Sequence, residues 1–204
     1  MAGRLKPEEH SKHPWLIDDI ADDFDLIDAW ALPVSGTLEE FADLCRIFAT
    51  LDFGAGEDST AARALFTVRD RLGTLLRWNE NTNDLAIPGS ADRSLRGRLS
   101  ADQLAEVGDT SLFDDVQGIP FRPVYVAEDE CALELSDHNV HAAVHLGWVT
   151  AGNGRFTGQM GVYVKTRGRF GRTYMTAIAP FRHYIVYPAL LRRIGREWNA
   201  RPTS

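Results

Sequence analysis

The chain is short of several things, and each shortage narrows what it can be. Of 204 residues only two are cysteine, Cys45 and Cys131, far apart along the chain. A disulfide framework is not expected, Cys45 reads as an inert thiol on an apolar helix stripe, and the setting expected is a reducing cytoplasm. No apolar run approaches the roughly 20 residues a membrane-spanning helix needs, so no span is expected. The opening stretch, MAGRLKPEEHSKH, lacks the apolar segment of a signal peptide. Residues 1–13 read as a flexible tail, and two histidines in a tail, His10 and His13, make a poor metal site. Positive charge is also scarce: Lys and Arg number 22 against 29 Asp and Glu, a net charge of −7 at pH 7. Such a surface repels phosphate backbones, so no nucleic acid partner is expected. The dense basic runs, 167–172 and 192–196, read as solvated helix flanks. There is no GxSxG, P-loop, GxGxxG, HExxH or CxxC motif, and the expectation is no cofactor and no metal.

What is present suits one globular domain, residues 14–199: 44% of residues are hydrophobic and 25% charged. A first strand runs through Asp23–Leu32, with Phe24, Leu26, Trp30 and Leu32 on one face at period two and Asp28 the exception. Thr37 and Glu40 make a capping box for a helix whose stripe is Phe41, Leu44, Phe48 and Leu51. A second helix is expected from Ser59 to about Trp78. After a polar loop come short helical pieces at Leu95–Leu99 and Ser100–Val107, with Ser100 and Gln103 as a second capping box, and Phe113 is expected to plug into the core. Residues 121–166 read as an antiparallel meander. Its centre is the alternating strand Val140–Val149, the turn Ala151-Gly152-Asn153-Gly154 and the return strand through Phe156, Met160, Val162 and Val164. The chain ends in a long helix, residues 170–198, with an apolar stripe through Phe170, Tyr174, Ile178, Phe181, Ile185, Leu190, Ile194 and Trp198. Pro180 should break or bend it, because proline frees the carbonyl of Thr176. With no βαβ alternation, a parallel sheet is disfavoured. The fold class is α+β: a curved antiparallel sheet gripping a long C-terminal helix.

The strand-first, helix-last order resembles the START-like, helix-grip superfamily. The wording is similar to one family in particular. His145-Leu146-Gly147-Trp148, Gly158-Gln159-Met160, Gly171-Arg172-Thr173-Tyr174-Met175, Pro180-Phe181-Arg182-His183 and Tyr187-Pro188-Ala189-Leu190 resemble domain-of-unknown-function family 2867, as do His13-Pro14-Trp15 and Trp30-Ala31-Leu32-Pro33. The resemblance covers roughly residues 13 to 198. It implies the fold, usually with a cavity between sheet and helix, and no catalytic residues.

Chemistry is therefore sought in single residues. Val144, Trp148, Met160 and Val162 should face the long helix, and His141, Gln159 and Lys165 should point away. If the sheet instead turns polar residues inward, His145 and Tyr163 line a pocket. His141 and His145, four apart on a strand, lie about 13 Å apart and cannot easily share a metal. Arg182 and His183 follow Pro180: they either satisfy carbonyls freed there or bind an anion such as a carboxylate at a cavity mouth. Glu128-Asp129-Glu130 reads as a solvated turn. The residues expected to touch a ligand are Trp30, His145, Tyr163, Tyr174, Ile178, Arg182 and His183. Three functions stay open: a binder of a small apolar or amphipathic molecule, a small-molecule enzyme of cyclase, dehydratase or hydrolase type, and an interaction protein whose cavity is filled by side chains. Self-association is left open.

Overall fold

The computed structural model describes residues 3–51, 85–113 and 121–201. Its centre is a six-stranded antiparallel sheet in the order β1-β2-β6-β5-β4-β3, curved and unclosed. The strands are β1 (Gly3–Leu5), β2 (Asp25–Gly36), β3 (Arg122–Val126), β4 (Glu130–Ser136), β5 (Val140–Gly152) and β6 (Arg155–Thr166). Strands β3 to β6 form the meander read from the sequence. The β5–β6 turn works because Gly152, Asn153 and Gly154 adopt positive φ of 89°, 55° and 69°, which glycine and asparagine tolerate best.

The helices are α1 (Pro7–His10), α2 (Leu16–Ile20), α3 (Phe41–Thr50), α4 (Ala101–Glu106), α5 (Gly168–Phe181) and α6 (Tyr187–Ala200). The capping box of α4 is formed, with Gln103 Oε1 accepting from Ser100 N at 2.9 Å and Ser100 Oγ from Gln103 N at 3.2 Å. Before α3, Glu40 accepts from the Thr37 amide at 2.7 Å. The helix expected over Ser59–Trp78 lies outside the described residues. Pro180 sits inside α5, and the interruption expected near it falls just after, as a wide π-type turn, Arg182–Val186, in which the Tyr187 amide donates to the Arg182 carbonyl.

Strand side chains alternate between faces, and here both faces are covered. On the helix side Trp30, Leu32, Val144, Leu146, Trp148, Met160 and Val162 pack with α3 and with Tyr187, Leu191, Ile194 and Trp198 of α6. The Trp148 and Trp198 rings lie 5.6 Å apart, and Phe113 plugs into this core as expected. Val144, Trp148, Met160 and Val162 thus face the helix side as read from the sequence. The opposite face is a second core, covered by Ile17, Ile20, Phe24, Ile87, Leu95 and Leu99.

Three expectations are corrected. Residues 3–13 are not a loose tail: β1 pairs with β2 at Gly3↔Ala31, Arg4↔Trp30 and Leu5↔Ala29, and His10 is buried completely. The reason lies in glycines of the sheet. A Cβ on Gly161 would stand 2.6 Å from His10 Nε2, and one on Gly147 would stand 2.7 Å from Trp15. The missing side chains leave a notch that the N-terminal segment fills. Second, β2 does not keep one apolar face. Its register passes from Leu26↔Tyr163 to Asp28↔Val162, so Ile27 is an extra residue, a β-bulge. Phe24 and Leu26 therefore join the second core, while Asp28, Trp30 and Leu32 face the helix side. Third, Phe170 is not core but 65% exposed, in the first turn of α5.

Candidate functional site

The bulge at Ile27 turns Asp28 inward. Its carboxylate is completely shielded from solvent, and cationic and hydroxyl groups converge on it. His183 Nε2 lies 2.5 Å from Oδ1, Tyr187 OH donates to Oδ2 at 3.0 Å, and Arg182 Nη2 lies 3.1 Å from Oδ2. Arg4, from the edge strand, reaches Oδ1 at 3.7 Å with a half-exposed side chain. The π-type turn makes this convergence: its extra residue per turn lets Arg182, His183 and the following Tyr187 approach one carboxylate. Trp30 closes the cluster, its ring 5.1 Å from Tyr187 and 6.4 Å from His183. Burial pushes the Tyr187 hydroxyl well above its usual range, and the Asp28 charge adds to this, so it stays a neutral donor. Two buried donors here have no acceptor among the described residues, Trp30 Nε1 and Arg182 Nε.

The wall beside this cluster is apolar, and α5 covers it with few buried residues. At its start α5 presses Gly171 against the Asn139 carbonyl, where a Cβ would come within 2.3 Å. At its end Arg182 meets Asp28, which pairs with Val162. Ala142, Val144, Val162 and Val164 thus lie beneath α5. Val144 and Val162 keep 7% and 9% exposure, like Leu191 at 7% on the α6 side. Of its 14 residues α5 buries Gly171 and Tyr174, while α6 buries Tyr187, Leu191, Ile194, Gly195 and Trp198. Met175 and Ile178 stay half-buried.

A second polar cluster occupies the opposite face. Glu130 accepts from Tyr125 OH at 2.5 Å and from the Leu16 amide at 2.8 Å, and His145 Nε2 lies 3.0 Å from it. His145 Nδ1 lies 3.0 Å from His10 Nε2, and His10 Nδ1 lies 2.9 Å from Gln159 Oε1. With His10 neutral, as its burial dictates, the chain closes in two ways. Either the Gln159 amide turns its NH₂ toward His10 Nδ1, or His10 Nδ1 donates to Gln159 Oε1 and His10 Nε2 accepts from His145. Burial and the neighbouring His145 push the His10 imidazole down to about 3, so His10 is the neutral member. Burial alone would raise Glu130, but its hydrogen bonds from His145, Leu16 and Tyr125 outweigh that and hold it below the usual carboxylate value. One strand-repeat along, Glu134 accepts from the Leu95 amide at 2.8 Å and lies 3.0 Å from His141 Nε2. Tyr163 OH donates to Asp18 at 2.7 Å.

The residues singled out from the sequence are therefore split by the sheet. Trp30, Arg182 and His183 come together at Asp28, with Tyr174 and Ile178 on the α5 that leads to them. His145 and Tyr163 lie on the far face, buried under the N-terminal segment. Arg182 does not satisfy the carbonyl that Pro180 frees. Thr176 and Pro180 are both exposed, and the buried Asp28 carboxylate takes the guanidinium instead. Glu130 is not a solvated turn residue but a buried acceptor. Asp28 was missed as a site residue, although it broke the strand pattern, and Tyr187 was not among the residues expected to touch a ligand. Glu130 and Glu134 carried a signal too: acids four apart on one strand, followed by histidines four apart on the next. Among the described residues no group of three or more His, Cys, Asp and Glu is arranged to hold a metal, and no helix is long and apolar enough to cross a membrane.

An open antiparallel sheet holding a long C-terminal helix, with a polar cluster where helix and sheet meet, defines an α+β protein of helix-grip form. A family model described as "Protein of unknown function (DUF2867)" matches residues 20–189, and the chain belongs to that family. No curated protein and no solved structure matches it.

Proposed function

We propose that this chain is a small-molecule binder of START-like type that seats an amphipathic ligand between the sheet and α5. The apolar part lies along Ala142, Val144, Val162, Met175 and Ile178, and the polar end meets the Asp28–Arg182–His183–Tyr187 cluster. The observation that carries this is the pair of buried donors, Trp30 Nε1 and Arg182 Nε, left without acceptors beside an apolar wall over which α5 buries only Gly171 and Tyr174. A buried unmet donor costs about 1–3 kcal/mol, and a ligand oxygen removes that cost. Two permanent cations, Arg4 and Arg182, face one buried carboxylate, so the surplus charge favours an anionic head. The wall near Trp148 and Trp198 is filled by side chains, so the ligand belongs at the α5 end. His145 and Tyr163 are assigned to holding the far face rather than to ligand contact. The two free thiols suit the reducing, cytoplasmic setting expected from the sequence.

The test is calorimetric titration with dodecanoate, dodecanol and dodecylamine below their micelle concentrations. One-to-one binding with dodecanoate tightest supports the proposal; no binding, or preference for the amine, overturns it. One observation favours a second reading, an enzyme that moves a proton. His183 is held on Asp28 through Nε2, which leaves its other ring nitrogen, Nδ1, outside that contact. Native mass spectrometry separates the readings, because an enzyme returns an added substrate chemically changed and a binder returns it intact.

A further inference from the structure

The two cysteines, far apart in sequence and not expected to form a disulfide framework, meet in the core. Cys45 lies on the buried stripe of α3, and Cys131 is the second residue of β4. Their Sγ atoms are 3.3 Å apart, both residues have no solvent exposure, and both are free thiols. A disulfide requires the sulfurs about 2.05 Å apart, so a movement of little more than an ångström joins them. Cys131 is fixed by the ladder, opposite Leu146 in β5. Cys45 sits among Leu44, Phe48 and Ala49, which hold α3 on the helix-side core. Nothing polar intervenes between the sulfurs.

We propose that Cys45 and Cys131 are an intrachain disulfide-forming pair, a covalent modification site that fastens α3 to β4 when the protein meets a thiol oxidant. The two thiols give up two protons and two electrons, one S–S bond forms, and a diazene oxidant such as diamide takes both to become the hydrazine. The reaction is slow in the closed protein. The hydrogen bond shared with Cys45, and burial, push the Cys131 thiol well above its usual range, so little thiolate is present, and the reagent must wait for α3 to lift. The pair is therefore a slow lock rather than a fast sensor. It does not depend on the binding site proposed above, and it does not involve any residue of the Asp28 cluster.

The experiment treats the reduced, folded full chain with diamide at neutral pH and follows intact mass, thiol count in denaturant, and thermal melting by circular dichroism. The expected result is a loss of about 2 Da with both thiols consumed, no covalent dimer, and recovery of both thiols with dithiothreitol. The melting temperature of the oxidised form is expected to rise by about 5–15 °C. Cys45→Ala and Cys131→Ala should each lose the 2 Da change, but the wild-type masses decide the matter even if a variant folds poorly. Two thiols still titratable after the protein has been held under diamide through repeated partial-opening cycles in mild urea would overturn the proposal. So would products that are mainly intermolecular dimers, or a cross-link that appears only after complete unfolding.

Discussion

At the scale of single residues, the energetics turn on buried charge. Asp28 is shielded from water and stays there because Arg182, His183 and Tyr187 replace its hydration. Removing one partner of such a pair leaves the other uncompensated, which is costlier than losing both. Arg182 and His183 keep some solvent contact, so the cost is moderated: Arg182→Ala is expected to lower stability by about 1.5–3 kcal/mol, measured by urea denaturation. An unchanged denaturation midpoint would show that the ion pair is solvent-screened. The His10 imidazole gives a pH dependence whose sign is fixed. Its value falls from 6.5 in the unfolded chain to about 3 in the folded one. The folded state therefore binds fewer protons over that interval, and stability present above pH 6.5 is lost as pH falls toward 3, at up to about 1.4 kcal/mol per pH unit. Glu130 and Glu134, both held below the usual carboxylate value, lose stability with the same sign below their unfolded values. The first loss in mild acid, between pH 6 and 5, belongs to His10, and His10→Gln should flatten it. A wild-type melting temperature constant from pH 7 to 5 would contradict this assignment.

At the scale of elements, the N-terminal segment does more than its composition suggests. It completes the sheet edge, supplies Arg4 to one face and inserts His10 and Trp15 into the other, across the notch left by Gly147 and Gly161. Gly161→Ala should force His10 out of its hydrogen bonds and cost about 1–3 kcal/mol, as overpacking does, and limited proteolysis should then cut the chain before Trp15. Resistance equal to wild type would mean that the notch yields without displacing the segment. The meander, the turn with its positive-φ residues and the α4 capping box were legible because their signals are local: alternation, glycine placement, a Ser–Gln spacing. The long C-terminal helix was legible from its period, but the wide turn at Arg182–Val186 was not, because a π-type turn leaves no composition mark of its own. The N-terminal segment was misread for a different reason. Its eleven polar and apolar residues show no periodicity, and what orders them is a space made by glycines more than 130 positions away.

At the scale of the whole molecule, the sheet divides two kinds of polar cluster. Both contain histidine and a buried carboxylate, and sequence reasoning put residues of both into one site. The bulge at Ile27 decides otherwise, since it turns Asp28 and Trp30 toward the helix while Leu26 and Phe24 stay behind. The far-face cluster is closed under the N-terminal segment and holds structure together. The near-face cluster sits at the junction of sheet, edge strand and helix turn, beside the apolar wall under α5, where the proposed ligand would bind. Backbone amide chemical-shift mapping tests this division most directly: ¹⁵N-labelled protein is titrated with dodecanoate below its micelle concentration. The account predicts saturable shifts grouped at Ile27, Asp28, Val144, Val162, Met175, Ile178, Arg182 and His183, with His10, Glu130 and His145 unmoved. Shifts grouped instead on the His10–Glu130–His145 face, or none that saturate, would contradict it.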